Sequence, residues 1–102
     1  MTTVAQPVTG IRKVTFGEAC RLALEEALEA DPSVFILGED IGDAEGGGTF
    51  KVTKGLSARF GTDRVRTTPI SEQAIIGAAI GAAIAGMRPV AEIMLMNFIT
   101  VA

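Results

Sequence analysis

The chain has 102 residues, 48% of them hydrophobic, with one Cys, no His and a net charge of −3. That is enough apolar material for one small aliphatic core, and the acidic balance argues against a nucleic-acid binder, which needs a basic face. One Cys and no His exclude an intrachain disulfide, a protein-built zinc site and a Ser-His-Asp triad, and the lone Cys fits a reducing, cytoplasmic setting.

Residues 1–11 are polar and small and read as a flexible N-terminal arm without the order of a secretory signal. Thr15-Phe16-Gly17-Glu18 has the spacing of a capping box and opens a helix. Phe16, Ala19, Cys20, Ala23, Leu24, Ala27 and Leu28 form its apolar face, with Cys20 read as structural. Asp31-Pro32 stops it. Val34 to Leu37 is a short apolar run of the kind found in buried parallel strands. Glu39 to Phe50 is rich in Gly and acids and reads as a solvated loop, with Gly46-Gly47-Gly48 a flexible connector. Those glycines fit neither phosphate-loop spacing. Val52 to Phe60 can form a short helix ended by Gly61, and Lys51, Lys54, Arg59, Arg64 and Arg66 form a loose basic cluster. A solvated face is its ordinary reading; docking of another component is the alternative.

Val65 to Thr67 reads as a brief strand. Pro69 and Ser71 set up a second long helix, with Ser71 as its cap. Ala74 to Met87 runs 14 residues without a charge, short of the roughly 20 needed to span a bilayer. Its Gly-xxx-Gly spacing therefore suggests close helix packing in a water-soluble fold. Gly86-Met87-Arg88-Pro89 ends the helix, Pro89 to Met96 is a further strand, and Asn97 to Ala102 begins another element. Helices alternating with apolar strands predict an α/β fold with a mostly parallel sheet. Ile99-Thr100-Val101-Ala102 reads as cut within an element, so a piece of a longer protein is expected.

The most informative stretch is Thr68-Pro69-Ile70-Ser71-Glu72 followed by a helix of Gly, Ala and Ile. A carboxylate opens a helix made for close approach. Position alone gives Glu72 an ordinary role, since acids are common in a first turn. The spacing from Glu72 through Gly77-Ala78 to Gly81-Ala82 resembles the aminopyrimidine-binding motif of thiamine diphosphate enzymes. Further blocks fall in the same order: Gly38-Glu39-Asp40-Ile41-Gly42, Lys51-Val52-Thr53-Lys54-Gly55-Leu56, Arg59-Phe60-Gly61 and Gly86-Met87-Arg88-Pro89-Val90-Ala91-Glu92. Together they resemble, from Arg12 to Ala102, the beta subunits of the decarboxylating first component of 2-oxo acid dehydrogenase complexes.

That resemblance implies an incomplete pyrimidine-binding domain over residues 12–102, the rest of the domain and a C-terminal domain being absent. It implies thiamine diphosphate as cofactor, with Mg2+ held on an alpha partner. The implied assembly adds an alpha subunit, a second beta subunit and a lipoyl acyltransferase in a heterotetramer-based complex. Glu72 is then the residue that hydrogen-bonds the pyrimidine ring nitrogen N1′ and activates the cofactor. The helix N-terminus favours an ionised carboxyl there by only ~0.3–1 kcal/mol, so burial against the cofactor is expected to favour the neutral form. Ile70, Met94 and Phe98 match positions that pack on the aminopyrimidine, each with core packing as its plainer reading. Met94 and Phe98 look more like pyruvate-using members than branched-chain ones. Acetoin or branched-chain 2-oxo acid dehydrogenases are the alternative readings. A transketolase-like enzyme, or an inert fragment that only associates with a partner, stands further off. As a paired acid and base, Glu39 and Asp40 are the weaker candidates.

Overall fold

The computed structural model describes residues 11–102. The expected flexible arm over residues 1–11 lies outside the described residues except for Ile11. Helix α1 spans Phe16–Ala30 and opens on the predicted capping box: Glu18 N–H donates to Thr15 Oγ1 at 3.1 Å. Asp31 ends the helix. Its carboxylate then accepts the Ser33 N–H and hydroxyl at 2.8 and 2.7 Å, turning the chain into the first strand.

Strand β1 (Val34–Glu39) is central, flanked by β2 (Val65–Thr68) and β3 (Arg88–Glu92), all parallel, in the order β2-β1-β3. Helix α2 (Leu56–Phe60) lies in the connection from β1 to β2, and α3 (Glu72–Ile84) in the connection from β2 to β3. The two connections leave β1 in opposite directions. Crossovers of one hand therefore place α2 and α3 on opposite faces of the sheet. The expected α/β class and parallel sheet are observed.

The core lies between the sheet and α1 with α2. Leu28, Val34, Ile36, Ile41, Leu56 and Val65 are buried together, with Leu24, Ala27, Phe60 and Val90 packed around them. Arg64 ties this layer down: its guanidinium donates to the carbonyls of Leu28, Asp31 and Val34 at 2.8 to 3.1 Å. The apolar face predicted for α1 is only half used. Leu24, Ala27 and Leu28 meet the core, whereas Phe16, Ala19 and Ala23 at the other end are exposed.

Strand alternation turns Phe35, Leu37 and Glu39 to the opposite face, which α3 covers only partly. Helix α3 is apolar on every side, yet only Ile75 is buried, and Ile84 is 83% exposed. A helix that is apolar all round normally sits inside a structure. A Cβ added at Gly77 or Gly81 would meet nothing within 4 Å. Among the described residues, then, no packed neighbour requires a glycine at either position. The helix ends as its sequence foretells. Gly86 takes φ 102°, Met87 N–H donates to Ala82 O at 2.9 Å, and Gly86 N–H donates to Ala83 O at 3.1 Å.

Three expectations need correction. Gly46-Gly47-Gly48 is a packed turn rather than a flexible connector. All three have positive φ, Gly47 and Gly48 are buried, and a Cβ on Gly47 would come within 2.6 Å of the Lys54 backbone. Their N–H groups are spent on the carbonyls of Asp43, Gly42 and Asp40, so none remains to cradle a phosphate. The short helix begins at Leu56 instead of Val52, because left-handed Gly55 resets the backbone just before it. Strand β3 ends at Glu92 rather than Met96, where the chain bends sharply before a 3-10 turn over Met96–Thr100.

Candidate functional site

In an open parallel sheet, ligands bind outside the carboxyl ends of the strands, where successive connections diverge. Here that place is the carboxyl end of β1. Its last two residues pair outward in opposite directions, Gly38 with Glu92 of β3 and Glu39 with Thr68 of β2. From Thr68 the chain passes through Pro69, Ile70 and Ser71 directly into α3, whose first residue is Glu72.

The acid that sequence reasoning assigned to a solvated loop is the best-buried polar group of this edge. Glu39 closes β1 and is 6% exposed, and its Oε2 atom has no hydrogen-bond partner. It faces the half-buried Glu72 and the Ser71 N–H. Burial pushes the Glu39 carboxyl above the ordinary carboxylate range, and the neighbouring Glu72 pushes it further. The Ser71 N–H and then Asp40 act to smaller extents, one lowering and one raising it. The buried Glu39 carboxyl therefore favours its neutral form more than a solvated carboxyl does. The run of apolar residues through Leu37 could have signalled that Glu39 belongs to the strand. The acidic, glycine-rich segment after it hid that.

Asp40 does not join the pair: it is exposed, with φ 58°. Ser71 occupies the N-cap position of α3, but its side chain makes no capping hydrogen bond, so the predicted cap holds in place and fails in contact. Ile70 is 84% exposed beside the helix start. Met94 lies half-buried two residues beyond β3 with φ 70°, and Phe98 is half-buried in the 3-10 turn that follows. Glu72, Ile70 and Met94 thus follow strand ends at one edge of the sheet. A groove of about 760 Å³ lies elsewhere, between Phe35, Leu37, Arg66 and Thr68 on the sheet and Ala78 and Ala82 on α3. None of Glu72, Ile70, Met94 and Phe98 lines it.

Four of the five residues in the basic cluster make separate structural contacts. Arg59 pairs with Glu25 and Glu29, and Arg64 binds the carbonyls described above. Lys51 donates to Gly46 O at 2.9 Å and Arg66 to Asp63 O at 2.7 Å. Among the described residues no group of three or more acidic, Cys or His side chains is arranged to hold a metal ion. No helix there is long and apolar enough to cross a membrane. Cys20 is free and half-buried on α1.

A parallel sheet with a buried acid at its diverging edge, and a second acid opening an apolar helix beside it, defines an α/β domain with two acids at the edge where open parallel sheets commonly hold ligands. More narrowly, the chain belongs to the family described as transketolase, pyrimidine binding domain, whose model matches residues 12–102. It is 51% identical over 94 residues to the mitochondrial pyruvate dehydrogenase E1 component subunit beta of Chaetomium thermophilum, covering 92% of this chain and 24% of that one. It is 45% identical over 96 residues to the pyruvate dehydrogenase E1 component subunit beta of Leifsonia xyli, covering 94% and 28%. The 2-oxoisovalerate dehydrogenase subunit beta of Bacillus subtilis is 49% identical over 86 residues, covering 84% and 26%. The resemblance to 2-oxo acid dehydrogenase beta subunits is borne out. The chain spans about a quarter of the length of these relatives.

Proposed function

We propose that this chain is the cofactor-activating portion of the beta subunit of a thiamine diphosphate-dependent 2-oxo acid dehydrogenase, with pyruvate as substrate. In such an enzyme the oxo acid is decarboxylated and the acyl group passes to a lipoyl arm. The observation that carries this reading is the carboxyl pair: Glu72 opens α3 beside Glu39, whose Oε2 is buried without a partner. A hydrogen-bonding ring nitrogen is the kind of group such an edge can hold.

Thiamine diphosphate, when bound, supplies the electron-accepting ring on which decarboxylation occurs. The chain's residues do the rest. Glu72 holds the pyrimidine N1′ by a hydrogen bond and manages its proton. Glu39 keeps Glu72 in place and, being buried, makes a second negative charge there unfavourable. Ile70, exposed beside the helix start, offers its side chain to the ring, and Met94 and Phe98 pack on it from the β3 side. Confining the ring against these apolar side chains excludes water and strengthens the hydrogen bond to Glu72.

The exposed apolar faces of α3 and its open Gly77 and Gly81 fit contact with an alpha subunit and a second beta subunit, the cofactor lying between chains and Mg2+ on the alpha partner. The lipoyl acyltransferase is the further partner of this reading, and a reducing cytoplasm its setting. Residues 12–102 are then the first part of the pyrimidine-binding domain.

The test is acylation of a lipoyl domain by the enzyme assembled from the full-length subunit carrying this segment and its alpha partner. Pyruvate, acetoin and branched-chain oxo acids are supplied in turn, with and without thiamine diphosphate. Cofactor-dependent turnover fastest with pyruvate is expected. A preference for 3-methyl-2-oxobutanoate or acetoin would correct the substrate, and no turnover with any of them would leave only an associating fragment.

A further inference from the structure

Strand alternation sends Glu39 to the face that α3 partly covers, and a regular strand would send Ile41 to that same face two residues later. Ile41 is instead fully buried in the core on the opposite face, with Ile36, Leu56 and Val65. The switch is made at Asp40, whose φ of 58° lies in the left-handed region. That turn carries the chain over the end of the sheet directly after Glu39. It keeps the Ile41 side chain off the edge that the Glu39 carboxyl faces. Asp tolerates this conformation better than most residues, yet occupies it only where its surroundings fix it.

Three hydrogen bonds fix it. Asp40 O accepts the Gly48 N–H at 2.8 Å, Ile41 O accepts the Thr53 hydroxyl at 2.8 Å, and Gly42 N–H donates to Thr67 Oγ1 at 2.9 Å. The Thr53 bond is the sheltered one, since Thr53 is 1% exposed. A Cβ on Gly48 would stand 3.2 Å from Thr53 Oγ1, so the missing side chain of Gly48 leaves room for the hydroxyl. With Ile41 and Thr53 both buried, water cannot stand in for a donor lost from the Ile41 carbonyl. Thr67 is exposed, and water can replace more of its bond.

We propose that Thr53 is a positioning residue: its hydroxyl, bound to the Ile41 carbonyl, holds the left-handed crossing at Asp40, and so keeps Glu39 as the last residue of β1 with its carboxyl at an edge clear of Ile41. The inference rests on the reading of Glu39 as the group that supports Glu72. Thr53 touches no reacting atom; it acts through the backbone of Ile41 and Asp40.

The experiment follows exchange of the thiazolium C2 hydrogen with deuterium in the assembled enzyme saturated with thiamine diphosphate and Mg2+, with cofactor Kd and melting temperature measured in parallel. Thr53→Val keeps the shape and removes the donor. It should slow exchange about tenfold with cofactor Kd within about twofold of wild type, the mark of a misplaced supporting group. Thr53→Ser keeps the hydroxyl and should exchange within about threefold of wild type. In an Asp40→Gly background, where the left-handed turn needs no holding, Thr53→Val should slow exchange by less than about twofold more. If Thr53→Val does not assemble, Thr67→Val reads the same crossing from its exposed side and should slow exchange about threefold; wild-type exchange there overturns the proposal. A lowered melting temperature with wild-type exchange in Thr53→Val, or equal slowing in Thr53→Ser and Thr53→Val, also overturns it. Glu39→Ala separates this proposal from the reading beneath it. Wild-type exchange in Glu39→Ala refutes the supporting role of Glu39, whereas slow exchange there beside wild-type exchange in Thr53→Val refutes the role of Thr53 alone.

Discussion

Asp43 offers a prediction whose size can be worked from the structure. Helix α2 has Gly55 at its N-cap and no side-chain cap of its own. Asp43 supplies one from 12 to 15 residues away: Oδ1 accepts the Gly55 N–H at 2.6 Å, and Oδ2 accepts the Ala58 N–H and the Ser57 hydroxyl, both at 2.8 Å. Hydrogen bonds to a charged group contribute about 1.5–3 kcal/mol each when sheltered, but Gly55 and Ala58 are exposed and water can replace part of the loss. Asp43→Ala should therefore cost about 2 kcal/mol locally, within the range of a lost cap, which corresponds to roughly thirtyfold more frequent opening. Hydrogen exchange of the α2 amides in the assembled enzyme reads this directly. The Gly55 N–H first, then the Ala58 N–H and the Ser57 hydroxyl, hold the Asp43 carboxyl below its ordinary value. A depressed carboxyl contributes stability that is present above the unfolded value, about 3.9, and lost as pH falls through the native one. The wild-type and Asp43→Ala exchange rates should thus converge in acid. Equal rates at neutral pH would refute the cap.

Three further outcomes follow from the same geometry. Glu39 is raised mainly by burial, so relative to Glu39→Gln the wild type should be most stable in acid. It should lose ground as pH rises from the ordinary carboxylate value through the raised native one, and a pH-independent difference in β1 hydrogen exchange would contradict this. Gly81→Leu meets open space within this chain and gains helix propensity of roughly 0.8–1 kcal/mol. It should leave the chain's own fold intact while blocking association with the partner subunit; normal assembly by sedimentation would count against α3 as an interface. Arg64→Ala strips donors from three carbonyls and should cost about 2–4 kcal/mol. Arg64→Lys should recover only part, and an unchanged urea midpoint would show those bonds to be dispensable.

Local grammar made most of the fold legible. Thr15 and Glu18 sit at capping-box spacing, Asp31-Pro32 breaks α1, and Gly86 can only be a helix end once Ala82 and Ala83 are helical. Each of these is a short-range choice. What stayed hidden depends on contacts between distant segments. Glu39 looks solvated until β2 and α3 close over it, and the glycines at 46 to 48 look loose until Lys54 packs on Gly47. Arg59 and Arg64 look like parts of a patch until Glu25 and Glu29 pair with the first and the carbonyls of Leu28, Asp31 and Val34 accept from the second. In the site, Glu72 was legible because a helix start is a local event. The close approach of Glu92 to Gly38 was not, since it needs the strand register that sets them side by side. Ile70 and the outer face of α3 are exposed among the described residues, so packing within the chain assigns them no role.

The central claim is that Glu72 activates the cofactor through its pyrimidine ring. The measurement that reaches it most directly is the rate at which the thiazolium C2 hydrogen of bound thiamine diphosphate exchanges with deuterium, followed by quenched-flow NMR in wild-type and Glu72→Gln enzyme. Because Glu72 handles the proton on N1′, Glu72→Gln should slow exchange by ~10²–10⁴-fold, the range of positioned acid–base catalysis, with the cofactor still bound. Wild-type exchange rates in Glu72→Gln enzyme saturated with cofactor would contradict the account.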